Sequence, residues 1–214
     1  MNNPKGVLAI ISGFSGAGKG TVVKELLSAY ADEYALSVSA TTRAPRQGEV
    51  DGVHYFFITK EAFEQRIAEG GFLEHAQYVD NYYGTPLAFV EEQSAKGVSV
   101  ILEIEIQGAL SVKERYPDAV TIFVTPPTAE ELERRLRGRG TDAPEVIEGR
   151  LSRAGEEAKF MDRYDYVVIN ETDQVEACAN TIHNIIRSAK LKSANQADLI
   201  ERCQQELAVY QKGE

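Results

Sequence analysis

Apolar residues fall in short unbroken runs that alternate with stretches of helical periodicity. Val7-Leu8-Ala9-Ile10-Ile11 runs without polar interruption into Ser12-Gly13, the pattern of a strand buried on both faces. A glycine-rich stretch follows over 13–20, and then Val22, Val23, Leu26, Leu27 and Tyr30 recur at helical spacing. The opening therefore reads strand, glycine loop, helix. Residues 36–40 alternate and predict a second strand, 41–52 is loop, and 54–58 is a short aromatic strand. A short helix over 61–69 stops at Gly70-Gly71, 82–86 reads as a turn, and 87–96 as a helix. The longest β-rich run is 98–106, followed by a helix over 108–115 and a strand over 119–124 that Pro126-Pro127 ends. A charged helix over 129–137 breaks at Gly138 and Gly140, a second helix covers 143–159, and 166–169 is the last strand. In the tail, Val175, Cys178, Ile182, Ile185, Ile186 and Ala189 share one helical face, and Ile200, Cys203, Leu207 and Tyr210 share another. Both cysteines lie on these stripes and are expected to be buried, inert thiols. Strands alternating with helices imply an α/β fold with a mainly parallel sheet.

Composition narrows the function. The 214 residues suit one domain with its own core. Lys and Arg number 23 against 33 Asp and Glu, a net charge of −10. That argues against a broad grip on nucleic acid, which needs phosphate neutralisation over a whole face, but permits a local basic pocket for a small anion. No apolar run is long enough to span a membrane, and Met1 to Gly6 does not look like a secretory signal, so a cytoplasmic protein is expected. Two cysteines make no disulfide framework, and His54, His75 and His183 are scattered, without metal-ligand spacing. No Ser/His/Asp or catalytic cysteine arrangement can be read from the chain.

Gly13-Phe14-Ser15-Gly16-Ala17-Gly18-Lys19 has the spacing G-x-x-x-x-G-K. Glycines let backbone N–H groups turn inward around phosphate oxygens, the following helix adds its positive end, and Lys19 supplies a mobile charge. A tight turn that binds nothing can carry the same string, but its place between a strand and a helix favours the phosphate reading. Such loops usually follow the lysine with Ser or Thr to hold Mg²⁺. Here Gly20 stands in that place and Thr21 comes next, so the metal is expected to rest largely on phosphates and water.

A second anion site is suggested by Ser39-Ala40-Thr41-Thr42-Arg43-Ala44-Pro45-Arg46-Gln47-Gly48-Glu49. Arg43 and Arg46, on a loop stiffened by proline, can fork onto one phosphate, with Tyr55 and Tyr83 adding hydroxyls. Together with Phe72-Leu73-Glu74, Asn81-Tyr82-Tyr83-Gly84-Thr85, the run Leu102 to Gly108, the run Arg134 to Thr141 and the strand end at Asn170, these strings resemble the guanylate kinases, enzymes that phosphorylate GMP. The likeness covers about residues 7 to 190 and is near the bacterial, free-standing form.

The resemblance implies a phosphate-loop NTPase-type core with a five-stranded parallel sheet flanked by helices. It adds a small mixed α/β GMP-binding insertion and a helical lid. The corresponding bounds are 5–37, 88–127 and 160–214 for the core, 38–87 for the GMP region and 128–159 for the lid. It matches Arg43, Arg46, Tyr55 and Tyr83 to the GMP phosphate and Ser39, Glu74, Thr85 and Glu105 to the guanine, and it counts Glu49 among the GMP-binding residues. A carboxylate suits guanine's adjacent N1–H and N2–H₂ donors, a hydroxyl suits O6, and adenine would meet the carboxylate with an acceptor. Glu105, at the end of an apolar strand, is not expected to be a plain surface acid.

The same resemblance places ATP on residues 13–21 (Gly13, Phe14, Ser15, Gly16, Ala17, Gly18, Lys19, Gly20 and Thr21), with Asn170 near the adenine. Arg135, Arg139 and Arg150 match lid arginines, which join Lys19 and Arg43 as catalytic, while Arg134, Arg137 and Arg153 read as surface or salt-bridge residues. Glu103-Ile104-Glu105 departs from the family, where aspartates are frequent. Thr21, Glu103 and Glu105 stay open as Mg²⁺ contacts, mostly through water. The expected partners are GMP and ATP, with no nucleic acid or membrane, and the chain acts as a monomer or homo-oligomer. Two rivals remain. Gly20-Thr21 is similar to adenylate kinases, but the Thr-Thr-Arg-x-Pro-Arg string and Glu74 argue against another monophosphate kinase. Non-catalytic guanylate-kinase-like modules that bind phosphoproteins have damaged nucleotide sites, whereas Lys19 and the arginines are intact here.

Overall fold

In the computed structural model, which describes residues 5–78, 80–138, 140 and 142–210, the opening run becomes β1 (Leu8–Gly13) at the centre of a sheet. Its neighbours are β7 (Ser99–Glu103) and β8 (Val120–Thr125), with β2 (Tyr34–Leu36) and β9 (Tyr166–Ile169) at the edges. The order is β2-β7-β1-β8-β9, and every pairing is parallel. Ile10 sits opposite Leu102 on one side and Thr121 on the other. The unbroken apolar runs follow from this, because Ile10, Ile11, Ile101, Leu102, Ile122 and Phe123 are all fully buried.

α1 (Lys19–Ala29) packs against α7 (Val175–Lys190), and both lean on the sheet. His183 joins them. Its ring stacks on Tyr30, and its Nδ1 lies 2.8 Å from the Tyr34 hydroxyl, so this histidine is structural. α3 (Leu87–Ala95) and α4 (Ile106–Arg115) also pack on sheet strands. α5 (Ala129–Gly138) and α6 (Pro144–Ala158) pack on each other.

A second, mixed sheet has the order β4-β3-β6-β5. It comprises β3 (Ala40–Thr41), β4 (Phe56–Phe57), β5 (Phe72–Tyr78) and β6 (Asn81–Pro86), with Phe63 of α2 (Lys60–Ala68) stacked on Phe72 of β5. β3 runs parallel to β4 and antiparallel to β6.

Four expectations change. The strand over 36–40 is divided between the two sheets, β2 ending at Leu36 and β3 starting at Ala40. The turn over 82–86 is strand β6, paired with β5, which the pattern did not predict. The run 98–106 ends as strand at Glu103, and Ile106 already begins α4. Cys178 is buried but Cys203 is exposed, because every residue of α8 (Ala197–Ala208) is exposed, its apolar stripe included.

Candidate nucleotide-phosphate and acceptor sites

The carboxyl ends of β1, β7, β8 and β9 converge, the place where parallel α/β sheets bind ligands. β1 delivers the glycine loop there. Gly18 caps α1 with φ of 86°, and a Cβ on it would stand 2.6 Å from Asn170 Nδ2, so conformation and space both demand glycine. Asn170, just past β9, is buried and donates from Nδ2 to the Ala17 carbonyl at 2.8 Å. Its Oδ1 has no hydrogen-bond partner. Lys19 folds across the loop, donating to the Gly13 carbonyl at 2.6 Å and reaching Phe14 O at 3.4 Å.

Two arginines grip this loop. Arg135 donates to the Ala17 carbonyl at 3.3 Å and to Asn170 O at 2.9 Å, while Glu131 takes its Nε at 2.7 Å. Glu131 also binds Arg134 and Thr172, and these donors hold its carboxyl well below the usual carboxylate range. Arg150, from α6, donates to Ser15 Oγ at 2.7 Å and pairs with Asp142 at 3.4 Å. Arg139 lies outside the described residues.

Glu103, at the end of β7, opens onto the same cleft. A Cβ on Gly20 would lie 3.6 Å from its Oε1, so its carboxylate occupies the space beside the residue that follows Lys19. Surrounding protein raises the Glu103 pKa, and Lys19 opposes the shift. Thr21 is exposed in the first turn of α1. Glu105 departs from expectation. Its side chain is 74% exposed, and it pairs with Arg153 of α6 at 3.0 Å. The strand that was to bury it has already ended, and Glu105 caps α4.

The acceptor residues gather on the second sheet. Glu49 binds Arg43 through both oxygens at 2.9 and 3.0 Å and accepts the Arg46 backbone N–H at 2.7 Å. Those contacts pull the Glu49 pKa down to about 2. The Arg43 guanidinium also lies 5.5 Å from the centre of the Tyr55 ring and 5.8 Å from that of Phe57. Tyr55 meets Tyr83 edge to face at 6.1 Å. Arg46 is exposed, and Ser39 is half-buried with its carbonyl accepting Phe56 N–H at 2.9 Å.

Glu74 and Thr85 pair across β5 and β6. Glu74 is only 6% exposed, and the Thr85 hydroxyl donates to its Oε1 at 2.8 Å. Burial raises the Glu74 pKa, while the Thr85 hydroxyl and N–H oppose that. The hydroxyl proton is thus given to Glu74 rather than held out for a base oxygen. Asp142 and Gly108 were not legible beforehand, since only the fold brings them to Arg150 and Glu74, whereas Glu131 stands four residues before Arg135 on one helix, a spacing visible in the sequence.

A glycine loop on a parallel sheet, joined to an inserted sheet that carries an arginine and a buried acid, defines a phosphate-loop protein with two ligand regions. Comparison with known proteins agrees. The guanylate kinase family model matches residues 5–189. The chain is 55% identical over 184 residues to a guanylate kinase of Streptococcus agalactiae serotype III (strain NEM316), covering 86% of this chain and 87% of that one. It is 53% identical to a guanylate kinase of Streptococcus pneumoniae (strain ATCC BAA-255 / R6), covering 86% and 88%. A crystal structure of guanylate kinase from Anaplasma phagocytophilum matches with a TM-score of 0.74 and 35% identity, over 95% of this chain and 96% of that one. The chain belongs to the guanylate kinase family.

Proposed function

We propose that the chain transfers the γ-phosphoryl group of ATP to GMP, giving GDP and ADP, with the glycine loop holding the donor and the second sheet the acceptor. Family membership supports the activity; the residue roles are our reading of the geometry. Residues 38–87 serve as acceptor region and 128–159 as lid. The observation that carries the base choice is Glu74. It is a buried carboxylate whose hydroxyl partner occupies one oxygen, leaving acceptor capacity for guanine's N1–H and N2–H₂. Adenine offers an acceptor at N1 and would leave the acid unpaired.

Arg43 and Arg46 address the GMP phosphate, with Glu49 behind Arg43 as its support rather than as a ligand. Tyr55 and Tyr83 wall that pocket, and Ser39 borders it. Loop residues 13–18, Lys19, Arg135 and Arg150 address ATP, and the orphaned Asn170 Oδ1 suits a donor such as the adenine amino group. Phosphoryl transfer spreads charge over equatorial oxygens, so positioning and positive charge accelerate it without a protein nucleophile.

Mg²⁺ fits this site as a shared ion rather than a caged one. No cluster of three acidic, His or Cys ligands occurs among the described residues, but Glu103 lies beside Gly20, where other phosphate loops place a hydroxyl. Glu103 would hold the ion through water, and the ion would supply positive charge that neutralises the phosphates. Glu105 faces Arg153 and is the weaker candidate.

No helix of the described residues is long and apolar enough to cross a membrane. Free thiols at Cys178 and Cys203 suit the reducing cytoplasm, where we place the reaction. The test is ADP release with GMP, dGMP, IMP and AMP, for the native chain and Glu74→Gln. GMP should lead by orders of magnitude, and the variant should narrow the GMP/IMP ratio about tenfold or more. Equal rates with AMP and GMP would refute the reading, and no turnover at all would favour a binding module.

A further inference from the structure

We propose that Gly108, in the first turn of α4, is a specificity-determining residue that leaves the clearance in which Glu74 reads the base. The inference rests on the reading of Glu74 given above. α4 is docked on β5 from both ends. In its last turn Arg115 donates to the carbonyl of Leu73, the residue before Glu74, at 2.9 Å. In its first turn a Cβ on Gly108 would stand 3.2 Å from Glu74 Oε2, 3.6 Å from Glu74 Cδ and 3.4 Å from Ile104 Cδ1. The first of these distances is tighter than ordinary van der Waals contact, so one neighbour must give by a few tenths of an ångström.

The acid is the part able to move. Ile104 packs against the main core, and the backbone around Glu74 is fixed by its pairing with Thr85 and by Arg115. A methyl group would therefore displace the carboxylate and take away solvent or ligand space beside Oε2. Glycine is the poorest non-proline residue for a helix, so local stability does not explain its presence. Clearance beside a buried, base-reading acid does. The specificity of the acceptor site is thereby set from the core helix α4 as well as from the second sheet.

The experiment compares Gly108→Ala with native protein using KM for GMP, IMP and ATP, together with the melting temperature. Displacement of a recognition group by a fraction of an ångström should raise KM for GMP about tenfold and narrow the GMP/IMP ratio, with KM for ATP within about twofold. The melting temperature should hold or rise, because alanine is the better helix former. Ser188→Ala, at an exposed position of α7 away from both ligand regions, is the control and should change none of these constants. In a Glu74→Ala background, Gly108→Ala should add nothing, since no carboxylate is left to push. An unchanged KM for GMP, or a loss that persists without the acid, overturns the role of Gly108 while leaving Glu74 as the reader. A GMP/IMP ratio unaffected by Glu74→Ala itself overturns both.

Discussion

Thr85→Val tests the chemistry of the acceptor pocket most directly. Valine keeps the shape of threonine and removes only the hydroxyl that donates to Glu74 Oε1 at 2.8 Å. Hydrogen bonds to charged groups contribute about 1.5–3 kcal/mol, and each 1.4 kcal/mol is a factor of ten. The variant should thus lose about ten- to a hundredfold in kcat/KM for GMP at neutral pH. The pH profile carries the sharper signal. Burial already raises the Glu74 pKa, and the hydroxyl opposes that rise. On the proposed reading the ionised acid accepts from guanine, so GMP use should fall as pH drops through this raised value. Without the hydroxyl the pKa climbs further, and the fall should begin nearer to neutrality. GMP's own phosphate titrates near pH 6, but it cancels in the ratio of variant to native rates with the same substrate. Thr85→Ser keeps the donor and should restore the native profile. If Thr85→Val shifted neither magnitude nor profile, the hydroxyl would not be acting through Glu74.

Lys19→Ala should lower kcat by about two to three orders of magnitude, the cost of one lost donor to developing charge, with KM for GMP nearly unchanged; turnover within tenfold would refute the loop assignment. Arg43→Ala should raise KM for GMP far more than KM for ATP, and Glu49→Gln should do the same more weakly by loosening Arg43; an effect on ATP instead would reverse the assignment of the two sites. Because the Glu49 pKa lies at about 2, its hold on Arg43 should survive at pH 5 and fail only in stronger acid, so the loss of GMP use on mild acidification, beyond that due to the substrate's own phosphate, should vanish with Glu74→Gln but not with Glu49→Gln. Mild alkylation should modify Cys203 in the native protein and spare Cys178, whose thiol burial pushes up to about 11; rapid modification of both would mean that α7 does not bury Cys178.

The pattern along the chain revealed the parallel sheet because its strands are buried on both faces and stand between amphipathic helices. It failed on β5 and β6, where Glu74, His75, Gln77 and Tyr82 interrupt any run and Gly84 and Pro86 imitate a turn. Those strands carry the proposed acceptor site, and its polar residues dilute their hydrophobic signal. The tail misled in the opposite way. Periodicity marks the face of α8 that is apolar but not what covers it, and Cys203 stays exposed. Residues were legible as candidates, but their partners were not. Nothing in the string around Glu105 announces Arg153 across 48 residues, and nothing in Thr85 says where its proton points.

Those partners separate two kinds of cation in a chain whose net charge is −10. Arg43 is met by a full carboxylate through two bonds, and that acid stays ionised far below neutrality. It reaches a phosphate as an oriented donor whose charge is already largely balanced. Lys19 rests on two backbone carbonyls, and Arg150 on the Ser15 hydroxyl with Asp142 at the longer distance of 3.4 Å. Neutral acceptors hold geometry without cancelling charge, and phosphate oxygens can take their place at little electrostatic cost. On this reading the balanced arginine serves binding and register at the acceptor. Lys19 and Arg150, the less balanced cations, stand at the donor loop beside the carboxylate-paired Arg135, where the transferring group accumulates charge and where preorganised positive charge lowers the barrier most. An acidic protein can therefore handle two polyanions without a basic surface, provided that it spends few carboxylates at the donor end. Glu131, which pairs with Arg135 at 2.7 Å, and Glu103 are the exceptions there, and Glu103 is the residue best placed to share a divalent cation.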